Sequence, residues 1–310
     1  MTAPASEHPR DSLPLSLDST AQLLTRITDQ LGTQLSLVSP NGTRRPMQST
    51  RHPARPSHLV ARGIPAPTLV AVAHGSRDPR ALRTVLELLD RVRELRPGLD
   101  VRLGHIELNQ PLLPATLAAV GAGDAVLVPL LLGRGHHVKH DLPAAAAAAP
   151  ALRSRIAAPL GPHPLLVEAL LGRLVESGWD PRDGTSRSAA VVLAAAGSRD
   201  PDSADDTRRT ARMLSDRLGG IPVVPAYASA AAPTVPAAVR ALAARGRHRI
   251  AVASYFTAPG RFATAAAAAA PGHTAAPLGA HPAMARLLLH RYDRALEYES
   301  PVPERLLASA

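Results

Sequence analysis

Three stretches of this chain carry side chains able to do chemistry together. One is His74-Gly75-Ser76, which closes the apolar run 69–73; another is Glu107; the last is 133–141, with His136, His137 and His140 inside five residues. Neutral imidazole binds borderline transition metals and carries or releases a proton near neutrality, while a carboxylate offsets a cation's charge. Histidines and a glutamate gathered at one point would suit a divalent ion such as Fe, Co, Ni or Zn. The chain has no cysteine, which excludes thiolate ligation, disulfides and iron–sulfur clusters held by its own residues. No HExxH run or paired aspartates signal a metallohydrolase.

Each residue also has a plainer reading. A histidine closing a strand can be a hydrogen-bonded structural group. His137 and His140, three apart, can share a helical face by coincidence. Glu107 can be a carboxylate favoured at a helix start.

The chain itself supplies a test, because it repeats. The phrase 69–79 returns as 190–201 with the histidine replaced: His74 matches Ala196, Pro79 matches Pro201 and Pro111 matches Pro233, all at an offset of 122. Further along, Gly135 matches Gly260, and Ala158-Pro-Leu-Gly-Pro-His163-Pro matches Ala276-Pro-Leu-Gly-Ala-His281-Pro. On these registers Glu107 becomes Ser229 and His137 becomes Phe262. Turn and helix-start residues survive in both copies, whereas the chemically able side chains survive only in the first, which predicts one working site. Residues common to both copies read as structural: Asp78-Pro79 and Asp200-Pro201, as helix N-caps with proline at the first helical position, and His163 and His281, with no particular role assigned.

The elements that must position these residues follow a regular alternation. Strand 69–73, helix 80–96, strand 101–106, helix 112–120, strand 125–132, an Ala-rich helix, a short strand near 155–158 and helix 164–177 make one unit, which then recurs. Short apolar strands joined by amphipathic helices predict a parallel, doubly wound α/β sheet. In such sheets ligands bind beyond the carboxyl ends of the strands, where His74, Glu107 and His137 would converge. The expected fold is therefore α/β, with two duplicated doubly wound parallel-sheet domains forming a bilobal chain. We divide it into a mostly disordered extension 1–66 with a helix near 20–31, a site-bearing domain 67–179, a linker 180–187, a second domain 188–298 lacking the histidines, and a tail 299–310. At 310 residues each domain is long enough to bury a core of its own.

Composition narrows the partners. The formal net charge is +10, but it is almost wholly arginine, Lys139 being the one lysine, and the arginines are interleaved with acids. With aromatics at 2%, stacking platforms for nucleic acid are scarce, so a small polyanionic substrate explains the charge better. No run reaches the roughly 18 apolar residues of a membrane span, and no export signal is legible. A cytoplasmic protein, free of membrane and nucleic acid, is expected.

The strand ending in His74-Gly75-Ser76-Arg77, the run Ile106-Glu107-Leu108 with Pro111, and Pro129 to Gly133 leading into Gly135-His136-His137-Val138 and Asp141-Leu142-Pro143 together resemble the CbiX/SirB group of class II tetrapyrrole chelatases. The similarity spans about residues 66–298. It implies insertion of Fe or Co into sirohydrochlorin or a related precorrin, toward siroheme or cobalamin, with the divalent metal as a substrate and no organic cofactor. By position it implies His74 and His137 as metal-binding and catalytic histidines and Glu107 as the catalytic acidic residue, with His136 the alternative to His137 as ligand. A carboxylate-rich tetrapyrrole would meet Gly75, Ser76, Arg134, His136 and Lys139. The protein would act as a monomer or weak dimer. The rival readings are a non-catalytic carrier of tetrapyrrole or metal, a histidine phosphatase, which would need an arginine where Ala73 stands, and a nucleic-acid-binding module.

Overall fold

The computed structural model describes residues 66–180, 187–229 and 231–297, all within one compact unit. The helix expected at 20–31, the rest of the extension, most of the linker and the tail lie outside the described residues.

The first lobe runs β1 (Thr68–Ala73), α1 (Pro79–Leu95), β2 (Val101–His105), α2 (Leu113–Val120), β3 (Gly123–Pro129), a π-helical turn (His137–Asp141), α3 (Leu142–Ala147), β4 (Leu152–Ile156) and α4 (Pro164–Glu176). The second runs β5 (Ala189–Ala195), α5 (Pro201–Arg217), β6 (Val223–Tyr227), α6 (Val235–Ala243), β7 (Arg249–Tyr255), α7 (Arg261–Ala268) and α8 (Pro282–Glu297). The sheets are parallel, ordered β2-β1-β3-β4 and β6-β5-β7. The doubly wound expectation holds. Where the first sheet has β4, the second has only a bridge from Val252 to Thr274, because Pro271-Gly272 interrupts the approach.

Helix starts follow the expected chemistry. The Asp78 carboxylate accepts from the Arg80 amide and Asp200 accepts from the Asp202 amide, each followed by proline. His163 and His281 cap α4 and α8 in the same way, accepting from the Leu165 and Ala283 amides. The third strand ends at Pro129 rather than Leu132: β1 turns out of the sheet at His74, so beyond the bond from the Leu130 amide to the Val72 carbonyl the ladder with β1 stops, and the Leu131 and Leu132 carbonyls accept instead from the Leu160 amide and the Tyr255 hydroxyl.

Each lobe is long enough for a core of its own, yet the largest core is shared between them. Strand side chains alternate between faces, and one face of each sheet turns toward the other lobe. Leu69, Ala71 and Ala73 share a single core with Val191, Leu193 and Ala195, filled by Leu88, Leu89 and Val92 of α1, Leu166 and Leu170 of α4, Leu214 of α5 and Leu287 and Leu288 of α8. The opposite faces form smaller clusters, Val70 and Val72 with Leu113 and Leu117 of α2, and Val192 and Ala194 with Val235 and Leu242 of α6. The last helix of each lobe crosses over. α8 packs on α1, β3 and β4 of the first lobe, and α4 packs on α5 and β7 of the second. Arg96 at the end of α1 grips Asp293 of α8 through two nitrogens at 2.5 and 2.8 Å. The lobes are therefore halves of one hydrophobic body, which holds their strand ends in fixed register across the interface.

Candidate functional site

The chain reverses its winding between β1 and β3, and a crevice opens where the loops after those two strands diverge. His74 is the first residue after β1 and His137 opens the π-helical turn after β3, so topology alone aims them at one place. Their ring centres lie 4.8 Å apart, edge to face at 84°. Glu107, just beyond β2, brings Oε1 to 3.3 Å from His74 Nε2. The three side chains are partly open to solvent, at 43% for His74, 53% for Glu107 and 34% for His137. An imidazole nitrogen bound at about 2.1 Å sets its ring centre roughly 3.2 Å from the ion, so two rings sharing one ion stand about 4.5–5.2 Å apart at ordinary ligand angles. The His74–His137 spacing falls inside that window. Among the described residues the ring that His74 meets is that of His137; His136 packs against His137 at 6.2 Å and against His140 at 4.7 Å. Among the described residues no group of three or more His, Asp or Glu is disposed to hold a metal ion by itself.

The backbone explains why these loops meet. Gly75 has φ +101°, and a Cβ there would sit 1.9 Å from the Glu107 carbonyl oxygen. No other residue permits that approach. The Glu107 amide donates to the His74 carbonyl, and the Ser76 amide donates to Asn109 Oδ1 at 2.6 Å. Between them Leu108 adopts φ 67°, a left-handed conformation that a leucine holds only when its surroundings force it, at a cost of about 1–3 kcal/mol.

His137 has its own support. Its Nδ1 lies 2.5 Å from Asp141 Oδ2, which leaves Nε2 as the free nitrogen. The two residues stand four positions apart, a spacing that puts them on one face of the turn, and π-helical turns gather at functional sites. His136 and His140, ring centres 4.7 Å apart, lie outward of this pair.

Other expected contacts are otherwise engaged. Arg134 does not stand free for an anion: its amide, Nε and Nη2 all reach Asp206 of α5, a carboxylate buried to 3% exposure, at 2.8–3.2 Å. Lys139 Nζ lies 2.8 Å from both Asp200 and Asp202, and these bonds hold the ammonium above its ordinary range and, in return, Asp200 below the usual carboxylate range. Both cations pair with aspartates that the other lobe supplies, so their charge ties the histidine loop to α5. The Ser76 amide is committed to Asn109, and Gly75 is explained by the close approach to residue 107. Asn109 and Asp206 were not singled out in the sequence, and Asp141 was quoted only as part of a motif, without a role. The internal repeat could have found them, since their counterparts in the other copy are Ala231, Ala266 and Thr84.

The second lobe keeps the frame. Gly197 has φ +92°, with Ser229 O 1.9 Å from an added Cβ, and the Ser229 hydroxyl donates to the Ala196 carbonyl. Phe262 lies beneath Arg261, 4.9 Å from guanidinium to ring centre. The lobes approach each other pseudo-symmetrically: Gly135 faces the Ser198 hydroxyl and Gly260 faces that of Ser76.

Comparison with known proteins places both halves of the chain in one family. The CbiX family matches residues 68–177 and again 190–295. A sirohydrochlorin cobaltochelatase of Priestia megaterium is 27% identical over 197 residues, which are 61% of this chain and 63% of that protein. A sirohydrochlorin ferrochelatase of Bacillus subtilis is 28% identical over 172 residues, 53% of this chain and 64% of that protein. The chain thus spans less than two thirds of either relative's own length. The structure of SirB from Bacillus subtilis with Fe3+ superposes with a TM-score of 0.60 at 23% identity, covering 74% of this chain and 94% of that one, which is a likeness of fold. No helix among the described residues is long and apolar enough to cross a membrane. With both halves matched and the two loop histidines paired at their sheet's switch point, this chain belongs to the CbiX family.

Proposed function

We propose that this chain inserts a divalent metal ion, Fe2+ or Co2+, into sirohydrochlorin. The reading rests on one observation above all, the His74–His137 ring pair at 4.8 Å with Glu107 beside it. Insertion forms metal–nitrogen bonds to the macrocycle and releases two pyrrole protons. His74 and His137 hold the incoming ion through neutral imidazole while leaving most of its coordination positions to water and then to the ring nitrogens. As the ring nitrogens replace water and protein, an imidazole set free accepts one pyrrole proton, which Glu107 passes to solvent, and water in the open crevice takes the other. Asp141 keeps His137 in the tautomer whose Nε2 is available. The carboxylate-rich macrocycle lies in the crevice between the lobes, and one chain, as a monomer or weak dimer, suffices because it carries both walls.

The test is an absorbance assay of purified protein with sirohydrochlorin and either metal. The wild-type chain is expected to give metallated product over many turnovers and His74→Ala to give none above the spontaneous rate, with the thermal midpoint unchanged. Near-normal insertion by the variant would overturn the assignment. One equivalent of bound tetrapyrrole without turnover would favour a carrier instead.

A further inference from the structure

Two histidines next to the site have no part in the scheme above. His136, which caps the π-helical turn, and His140 within it are four positions apart and both exposed, His136 with 72% of its side chain open to solvent. Their ring centres are 4.7 Å apart and tilted by 39°, inside the roughly 4.5–5.2 Å range that two imidazoles sharing one ion adopt. Asp141 Oδ1 stands 3.8 Å from His136 Nε2, too far for a hydrogen bond but close enough to lower the potential at the pair, while its Oδ2 holds His137. The four rings follow one another pairwise as a row, His140, His136, His137 and His74, with centre spacings of 4.7, 6.2 and 4.8 Å, the first two exposed and the last two half-buried. The long middle gap divides the row into two pairs. On the register of the second lobe, the outer positions fall on Arg261 and Ala265, so this pair, like the inner one, belongs to the first copy alone.

We infer that His136 and His140 form a second divalent-metal site, open to solvent, that captures the ion before it passes to His137 and His74. Two imidazoles four residues apart on a helical turn chelate Co, Ni, Zn or Fe2+, and with water filling the remaining positions the ion exchanges readily. Asp141, in reach of both pairs, keeps a negative charge beside the ion along the transfer. No bond other than metal–ligand bonds changes and no electron moves. The capture role rests on the chelatase reading; the binding site does not.

The experiment is a calorimetric titration of the intact protein with Co2+ alone, followed by insertion kinetics at varied Co2+. His140→Asn should bind one Co2+ fewer per chain than the wild type. His136→Asn should lose the same one, and the double variant no more than either. His74→Ala should retain that ion. In insertion, His140→Asn should raise the apparent KM for Co2+ roughly tenfold or more while leaving the rate at saturating metal unchanged. Equal Co2+ stoichiometry in His140→Asn and wild type overturns the site, and an unchanged KM overturns its capture role. Should the wild type prove unable to insert metal at all, the chelatase reading fails while the titration still decides the site.

Discussion

At the end of β1 the chain places His74 and at the equivalent end of β5 it places Ala196, yet each is followed by a glycine whose added Cβ would lie 1.9 Å from the carbonyl oxygen of residue 107 or 229. Each lobe also carries a proline-started helix capped by aspartate after that turn. The second lobe retained the frame and lost the imidazoles, but it gained carboxylates with a structural task. Asp200, Asp202 and Asp206 hold the loop that carries His137. The reciprocal contact is missing: Thr84 and Pro259 occupy the positions equivalent to Asp206 and Arg134, and both line a cavity of about 320 Å³. The comparison teaches that the second copy is an anchor aimed at the first copy's chemistry.

The largest effect that would sharpen this contrast is on activity. His74→Ala should remove insertion, whereas Ala196→His should add none, since Ser229 and Phe262 leave a lone imidazole there without a partner; detectable insertion by the double variant His74→Ala, Ala196→His would break the asymmetry. Next comes the part the lobes share. Gly75→Ala and Gly197→Ala should each destabilise by about 3 kcal/mol or more, because the Cβ collides with backbone and φ is left-handed in both. Urea midpoints should fall together; a marked inequality would show the frames are not equivalent.

A smaller effect tests the anchor. Asp206→Asn should cost about 1–2 kcal/mol through weakened charge-assisted bonds to Arg134 and slow insertion, whereas Thr84→Ala at the equivalent position should change neither. The smallest is a pH effect. Burial, with Arg291 and His290 beside it, pushes His163 down to about 4, and burial first also lowers His281 and His290. Between about pH 6.5 and 4 the unfolded chain therefore binds more protons than the folded one, so stability is lost as pH falls through that window and is level above it. His163→Asn keeps a cap acceptor and should flatten the loss. An equally steep fall in that variant, measured by urea unfolding at pH 7.5 and 5, would remove His163 as a source.

Much of this was legible because it is local or repeated. Strand length, the Asp-Pro helix starts and the glycine after each first strand follow from neighbouring residues, and the repeat separated His74, Glu107 and His137 from their scaffold. The partner of Asp141 was missed because three histidines stand within five positions of it and only the folded turn selects His137. The aspartate partners of Arg134 and Lys139 were not legible because they lie 72 and 61–63 positions away, in the other lobe.

By itself, the sequence determined the alternation of strands and helices, the duplication, and which copy kept groups able to meet a cation, since backbone preference and side-chain chemistry act over a few residues. Only the tertiary structure decided that the lobes share one core through exchanged final helices, that His137 rather than His136 faces His74, and that the second lobe's aspartates neutralise the first lobe's cations. Those outcomes depend on which apolar faces bury each other and which distant charges then find themselves within bonding reach, and neither is set until the chain has closed on itself.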